Sequence, residues 1–587
     1  MPEGQKTLKT GAVIARLGAL LVGAATLAGS GNSAHAQAIE YFGTPWIYQP
    51  MNVLPGQPTG TGPAGASLPT GVQSPTAYSN IWGFATQVGN PVAPPWLFTP
   101  RFGVNEIATD NVRQNLYPRQ EDLTSQIYAG VLIGADTSHL TGMLDYSGVL
   151  QENINATDQN RFSNYAFLSA HATILPGTLL MDIHGSIDDV LRPGAGAGIN
   201  PTLLQNGQVT QSYLLSASPY YVARLGDIGF ASLRYQASQA WFSRDNGAIT
   251  IPGLNLAPIT SSTQQQARLD IKLPGTFVPR LATHIGLSAG SEVTGLAAVG
   301  TFLRSTNQVV NEYQLTRSIS LIGAGGWEWL HDKYHPLVTG QGATWEVGGR
   351  WQPNANSSIL VLYGHHDLKT DIEGEMQYRL TPFTSFYVAY TDSIGTAQQS
   401  LIANNEASQL NPAGPVSGIS FNQSPVLGIL NDAALAAAGD PDTVGVPLGI
   451  PLADVENFTP LENDIFRTKL LRGIVYTNLG DSPIALTVYN AQQFSLTGGT
   501  PPETTTRGAN VSWTPTLSED LFAFVQGGVN YIDIDRGNIY NAALGGHYLL
   551  SPAISIGLRY DFIYRTARPY TGGYIQNAVT LSLNKNF

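Results

Sequence analysis

Asp182, His184 and Ser186 are the residue types of a catalytic relay, and they stand two apart on one extended stretch. Residues at that spacing on a strand lie about 6.6 to 7 Å apart at their Cα atoms. Relay members are brought together by the fold rather than by adjacency, and no GxSxG turn occurs to present a serine. The reading that fits is a polar wall, not an enzyme. His331, His335, His365 and His366 form a second group, with Asp332 and Asp367 close by. Imidazole with carboxylate is a ligand set for a transition metal, provided one rim gathers them; solvated rim histidines are the alternative. No P-loop, dinucleotide fingerprint or zinc spacing is present, and the GAGAG at Gly194–Gly198 does not lie between a strand and a helix. No cofactor is expected. A third set is mixed in sign: Arg234, Arg268, Lys272, Arg280, Arg350, Arg379, Lys469 and Arg559 against Asp182, Asp270, Glu328, Glu346, Glu373, Glu375 and Asp561. Arg350 and Glu346, or Glu375 and Arg379, could pair within a strand's reach or across neighbours.

What positions these charges is alternation. In Gln266–Leu273, Ala267, Leu269, Ile271 and Leu273 alternate with Gln266, Arg268, Asp270 and Lys272. In Thr370–Leu380, Ile372, Met376, Tyr378 and Leu380 oppose Glu373, Glu375, Gln377 and Arg379; in Ala343–Trp351, Trp345, Val347 and Trp351 oppose Glu346 and Arg350. His139–Gln151 and Thr178–Val190 repeat the pattern. The terminal YIQNAVTLSLNKNF, Tyr574–Phe587, puts Val579, Leu581, Leu583 and Phe587 on one face and small or polar groups on the other. A period of two with bare Leu, Tyr and Trp opposite full charges fits strands with lipid on one side and water on the other. The mixed charges then line a lumen.

The connections agree. Tight turns are expected at 135–138, 176–177, 226–227, 274–279, 317–318, 353–356, 382–384, 480–483, 515–520 and 551–552, with longer segments between them and one exception, short where a long one is due, near Asp367–Lys369. Short turns at one rim and long loops at the other are the asymmetry of bacterial barrels. The expected fold is all-β, a transmembrane antiparallel up-and-down barrel of about 22 strands (a range of roughly 18–24) over residues 101–587, both ends at the short-turn rim. The longest loop, 395–464, reads as a constriction or lid, or as an external excursion, with a short helix at Val426–Ala438.

Ahead of the barrel, residues 1–36 read as a signal peptide: basic Lys6, Lys9 and Arg16, an apolar run around Leu17–Leu27, then Ala34-His35-Ala36. Residues 37–100 are a Pro-rich extension with many aromatics, read as a periplasmic or lumenal segment or as a spacer. Charged residues are only 12% of 587, which is low for a soluble protein, yet mean hydropathy is near zero and no apolar run long enough for a membrane helix follows the leader. The chain has no Cys, and its net charge of −12 argues against a nucleic-acid partner.

Several stretches resemble a family of outer-membrane β-barrel porins encoded beside exopolysaccharide genes and the PEP-CTERM/exosortase system. They are PRFGVNEIATDNV (Pro100–Val112), YSGVLQENINATDQNRFSNYAFLSA (Tyr146–Ala170), WEVGGRWQPNANSSILVLYG (Trp345–Gly364), MQYRLTPFTSFYVAYTDS (Met376–Ser393) and YRTARPYTGGYIQNAVTLSLNKNF (Tyr564–Phe587). The resemblance implies a channel in the outer membrane of a Gram-negative bacterium, in contact with outer-membrane lipid and with periplasmic export machinery, that passes an exopolysaccharide. A porin for small polar solutes and a non-conducting barrel that binds partners through its loops are the other two readings.

Overall fold

The computed structural model describes residues 96–587 except 192–202, 204–208, 244–248, 252–253, 257–258, 276–277, 295–300, 334, 336–337, 355–356, 382, 400, 403–463, 480–481, 499–502, 516, 519, 534–536, 552 and 567–572. The leader, the Pro-rich segment up to 95, Gly194–Gly198 and the helix expected at Val426–Ala438 lie outside the described residues.

Alternation of side chains is satisfied by long strands. In order they are β1 (Trp96–Thr109), β2 (Asp122–Asp136), β3 (Leu140–Asn153), β4 (Arg161–Leu175), β5 (Leu179–Leu191), β6 (Val209–Arg224) and β7 (Phe230–Phe242). A small separate hairpin, β8 (Ile249–Ile251) with β9 (Leu254–Leu256), interrupts the next connection. The series resumes with β10 (Ser262–Pro274), β11 (Leu281–Thr294), β12 (Thr301–Gln314), β13 (Ile319–Asp332), β14 (Gly340–Asn354), β15 (Ser357–His366), β16 (Lys369–Thr381) and β17 (Thr384–Thr396). It ends with β18 (Ile465–Leu479), β19 (Ser482–Ser495), β20 (Glu503–Trp513), β21 (Leu521–Ile532), β22 (Gly537–Ser551), β23 (Ile554–Arg565) and β24 (Tyr574–Asn586). All but the small hairpin form one 22-stranded sheet in which each strand pairs antiparallel with its sequence neighbours and β1 pairs with β24. The first strand starts at Trp96, ahead of the boundary at Arg101 expected from the Pro-rich composition. Its Pro100, which has no N–H to donate, sits just before the seam begins at Arg101↔Asn586.

The two faces differ as the sequence requires. On β24, Val579, Leu581 and Leu583 are 44%, 50% and 51% exposed on the outside, whereas Thr580, Ser582 and Asn584 are 3%, 1% and 1% exposed on the inside. Outward aromatics gather at both rims: Trp96, Tyr221, Trp351, Trp513 and Tyr548 near the short turns, Phe162, Trp329, Tyr363, Tyr540 and Tyr564 near the long loops. Fourteen residues at about 3.4 Å each, tilted by about 40°, reach roughly 36 Å, enough to cross an apolar band about 25 Å tall.

The seam is closed from inside as well as by its ladder. The Tyr128 ring lies over Gly103, and its hydroxyl hydrogen-bonds the Asn584 side chain across the junction of β1 and β24. A Cβ on Gly103 would stand 2.4 Å from that ring, so the position needs glycine for close approach.

Two outcomes test this layout. Leu581→Arg, near the middle of the lipid face, is expected to lower stability by about 2–4 kcal/mol in denaturant titrations of the barrel in lipid vesicles. Gly103→Val is expected to displace Tyr128 and abolish the compact, heat-modifiable gel band of a closed barrel at a lower temperature than the parent.

Candidate functional site

The lumen has two zones. Toward the short turns, guanidinium groups lie over aromatic rings on the inner wall. Arg234 is 4.0 Å from the Tyr220 ring centroid, Arg472 is 5.2 Å from that of Tyr387, and Arg559 is 5.3 Å from that of Phe524. Each is also tied to a polar group: Arg234 donates to Asp182 at 3.0 Å and Ser218 at 3.0 Å, Arg472 to the Tyr387 hydroxyl at 3.3 Å, and Arg559 to both Asp561 oxygens at 2.7 and 2.6 Å. Arg268 donates to Asp270 at 2.7 Å, and Arg101 is paired with Asp145. The relay types of β5 do not form a relay, since Asp182 is engaged by His171, at 2.7 Å, and by Arg234.

Toward the long-loop rim Glu292, Glu328, Glu346 and Glu373 face inward, and there one strand leaves the wall. The β16–β17 ladder runs only as far as Gly374↔Tyr390, while β17 stays paired with β18 up to Thr396↔Ile465. Below that point β17 alternates between faces; from Asp392 to Thr396 every residue is buried. Both faces are covered because the end of the β17–β18 hairpin folds inward. Thr396 donates to Glu292 on the inner face of β11, at 3.0 and 2.8 Å to its two oxygens. Ile394 and Ile465 pack on Phe302, Leu330 and Val338. Farther across, Ala397, Leu401 and Ile402 meet Leu214 of β6 and Ala240 of β7. The path from β17 through β16, β15, β14, β13, β12, β11, β10 and β7 to β6 is nearly half of the ring. The beginning of the longest loop is therefore a constriction, one of the alternatives read from the sequence.

Room for this fold comes from the short turn at 367–368, which the sequence marks as out of pattern. Asp367 and Leu368 both have positive φ, 48° and 61°, a two-residue turn that usually takes Asn or Gly. A Leu in that region is strained, and the turn is held from the inner wall. Glu328 accepts from the Asp367 and Leu368 N–H groups at 2.8 and 2.9 Å, one per oxygen. Arg304 donates to the Asp367 carboxylate at 2.7 Å and Arg467 to its carbonyl at 3.3 Å. Beside it His366, almost wholly buried, lies 3.2 Å from Glu373, 3.8 Å from Glu346 and 3.8 Å from Asp371. Arg467 reaches Asp371 at 3.0 Å and Asp392 at 2.7 Å.

Most of the charges read as lumenal are on the inner face: Asp182, Arg234, Arg268, Asp270, Lys272, Glu328, Glu346, Arg350, Glu373, Glu375, Arg379, Arg559 and Asp561 share the register of its buried residues. Two do not belong to the wall. Arg280 is exposed in the turn after β10, with φ at 70°, because alternation stops where the strand does. Lys469 has the parity of outward residues; it stands 3.8 Å from Asp392, its cross-strand partner on β17. The pairing expected between Arg350 and Glu346 is replaced by Arg350 with Glu312 at 3.2 Å across strands. The four histidines are not gathered: His331 stacks on Trp329, His335 bonds Asp332, and His365 and His366 point to opposite faces. Among the described residues no three His, Cys, Asp or Glu are placed to hold a metal ion. Residues missed in the sequence are Arg304, Asp371, Asp392 and Arg467; the parity of Asp392 and Arg467 points them outward, so alternation alone conceals them.

At the same rim Arg113 of the β1–β2 loop donates to both oxygens of Asp158, holding that carboxyl well below the usual carboxylate range. Both side chains are exposed, so the pair ties two loops together without adding much stability.

An even-numbered closed barrel, greasy outside and charged within, has one environment that suits both surfaces. The protein is a membrane-spanning barrel of the outer-membrane type. No family model matches the chain, and no curated protein does. Among solved structures it is similar to the FrpB iron transporter from Neisseria meningitidis, at 9% identity over 84% of this chain and 83% of that one, with a TM-score of 0.43. It is also similar to the siderophore receptor PirA from Acinetobacter baumannii, at 10% identity over 84% and 80%, with a TM-score of 0.43. The enterobactin-bound ferric enterobactin receptor PfeA mutant from Pseudomonas aeruginosa matches at 10% identity over 83% and 81%, with a TM-score of 0.42. Likeness at those scores says nothing about what this barrel carries.

Glu328→Ala is expected to leave two inward N–H groups without an acceptor, at a cost of about 1–3 kcal/mol. The check is amide hydrogen exchange: Asp367 and Leu368 should speed up while Leu362 and Tyr363, in the wall, should not.

Proposed function

We propose that this barrel is an outer-membrane channel that passes an exopolysaccharide outward from the periplasm. The observation that carries the channel reading is the contrast between the two faces of every strand, which puts a continuous polar wall through an apolar band. The polymer is favoured by the five family-like stretches and by the chemistry of the inner wall. The inner wall carries aromatic rings stacked with guanidinium groups at Tyr220, Tyr387 and Phe524, with carboxylates and amides between them, the side-chain types that sugars engage.

A second reading, a selective porin for small polar solutes, is favoured by how little of the lumen meets water. Long inner side chains such as Lys272, Gln126 and Tyr489 are 3%, 0% and 4% exposed, so the state described here offers no wide water column.

Purified protein in planar bilayers should give discrete conductance steps, and fragments of the producing strain's exopolysaccharide should block them from the short-turn side. A deletion strain that keeps normal surface polysaccharide would remove the export reading. Unblocked conductance with uptake of small sugars in liposome swelling would leave the porin.

A further inference from the structure

The end of the β17–β18 hairpin is in an unusual position for a barrel strand. It has left its neighbour in the wall without a change of register that would prevent its return. Continuing the β16–β17 ladder upward from Gly374↔Tyr390 would pair Glu373 with Thr391, Ile372 with Asp392, Asp371 with Ser393, Thr370 with Ile394 and Lys369 with Gly395. Parity is kept throughout: Asp371 and Ser393 would both face in, Ile372 and Asp392 both out. Among the described residues the 369–373 edge of β16 is paired with β15 alone. An unpaired edge at a barrel rim is a ready partner for a strand.

What holds the hairpin in is a small set of identifiable contacts. Arg467 bridges Asp371 on the wall and Asp392 on the hairpin, Arg304 donates to the Ile394 carbonyl at 3.4 Å, and Thr396 is bound to Glu292. Ile394, Ile465, Ala397, Leu401 and Ile402 cover apolar patches on the inner wall that would otherwise meet water. Against these stand the backbone pairs that β16 and β17 forgo. Two packings of the same segment, one held by side-chain contacts with the inner wall and the other by the ladder with β16, make a bistable element.

We propose that residues 391–399, 401–402 and 464–470 form a two-position gate. Folded in, as here, they close the lumen at its long-loop end. Folded out, β17 zips onto the free edge of β16, the wall becomes continuous to the rim, and the channel is open. The outward position moves Asp392, Arg467 and Lys469 to the height of the rim, where charged headgroups and water accept them. This gate rests on the channel reading above.

The absence of native cysteines allows a direct test in the full-length protein. Glu292→Cys with Thr396→Cys should oxidise to a disulfide, hold the gate in, and give a conductance that rises at least tenfold on adding reductant. Thr370→Cys with Ile394→Cys, which face each other only in the outward register, should cross-link more slowly and trap a conducting state that reductant lowers. Arg467→Gln, with no added cysteine, should increase the open fraction, with the heat-modifiable gel band as the check of folding. The gate is overturned if the protein conducts, the first pair cross-links fully and reduction leaves that conductance unchanged. Failure of either pair to cross-link overturns it too. If both disulfides form and no variant conducts in any redox state, the channel reading fails while the two positions of the hairpin stand.

Discussion

Everything here depends on one requirement, that no backbone N–H or C=O facing hydrocarbon is left without a partner. In lipid there is no water to accept or donate, so a sheet must close on itself. The closure is the β1–β24 ladder, extended by the Phe587 N–H to the Pro100 carbonyl at 3.0 Å and reinforced by Tyr128 reaching Asn584. Once the ring is shut, each strand has one lipid face and one lumen face, and the alternation of residue types follows as a consequence of solvation.

The lumen is where polarity is permitted, and the chain uses it for charge pairs that neutralise locally. Arg559 with Asp561 and Arg268 with Asp270 stand two apart on one strand, so a single segment carries both partners. Arg234 with Asp182, Arg101 with Asp145 and Arg350 with Glu312 join different strands and depend on register. The inner wall is thus polar without a large net field, a surface better suited to sliding a hydrated molecule than to trapping an ion.

The one place where the ring rule is relaxed is the long-loop end of β16 and β17. There the free edge, the strained Asp367-Leu368 turn and the inward hairpin occur together, and each depends on the others. A longer β15–β16 hairpin would fill the space the β17–β18 end occupies. Glu328 and the two arginines, Arg304 and Arg467, keep the short turn against the wall while the hairpin passes over it.

The sequence by itself determined an antiparallel barrel of about 22 strands, its short-turn rim and the polar and apolar face of each strand, because a period of two between lipid and water is a local property of each segment. It even marked 367–369 as anomalous. It could not reveal why, nor that Asp392 and Arg467 belong with the interior, since their parity points outward and parity was the only rule available. Arg280 failed for a related reason: alternation says nothing once a strand has turned. That the hairpin leaves the wall, crosses beneath the rim and rests on β6, β7 and β11 was decided by tertiary structure alone. Contacts between segments so far apart in the chain depend on the closed ring that brings them face to face.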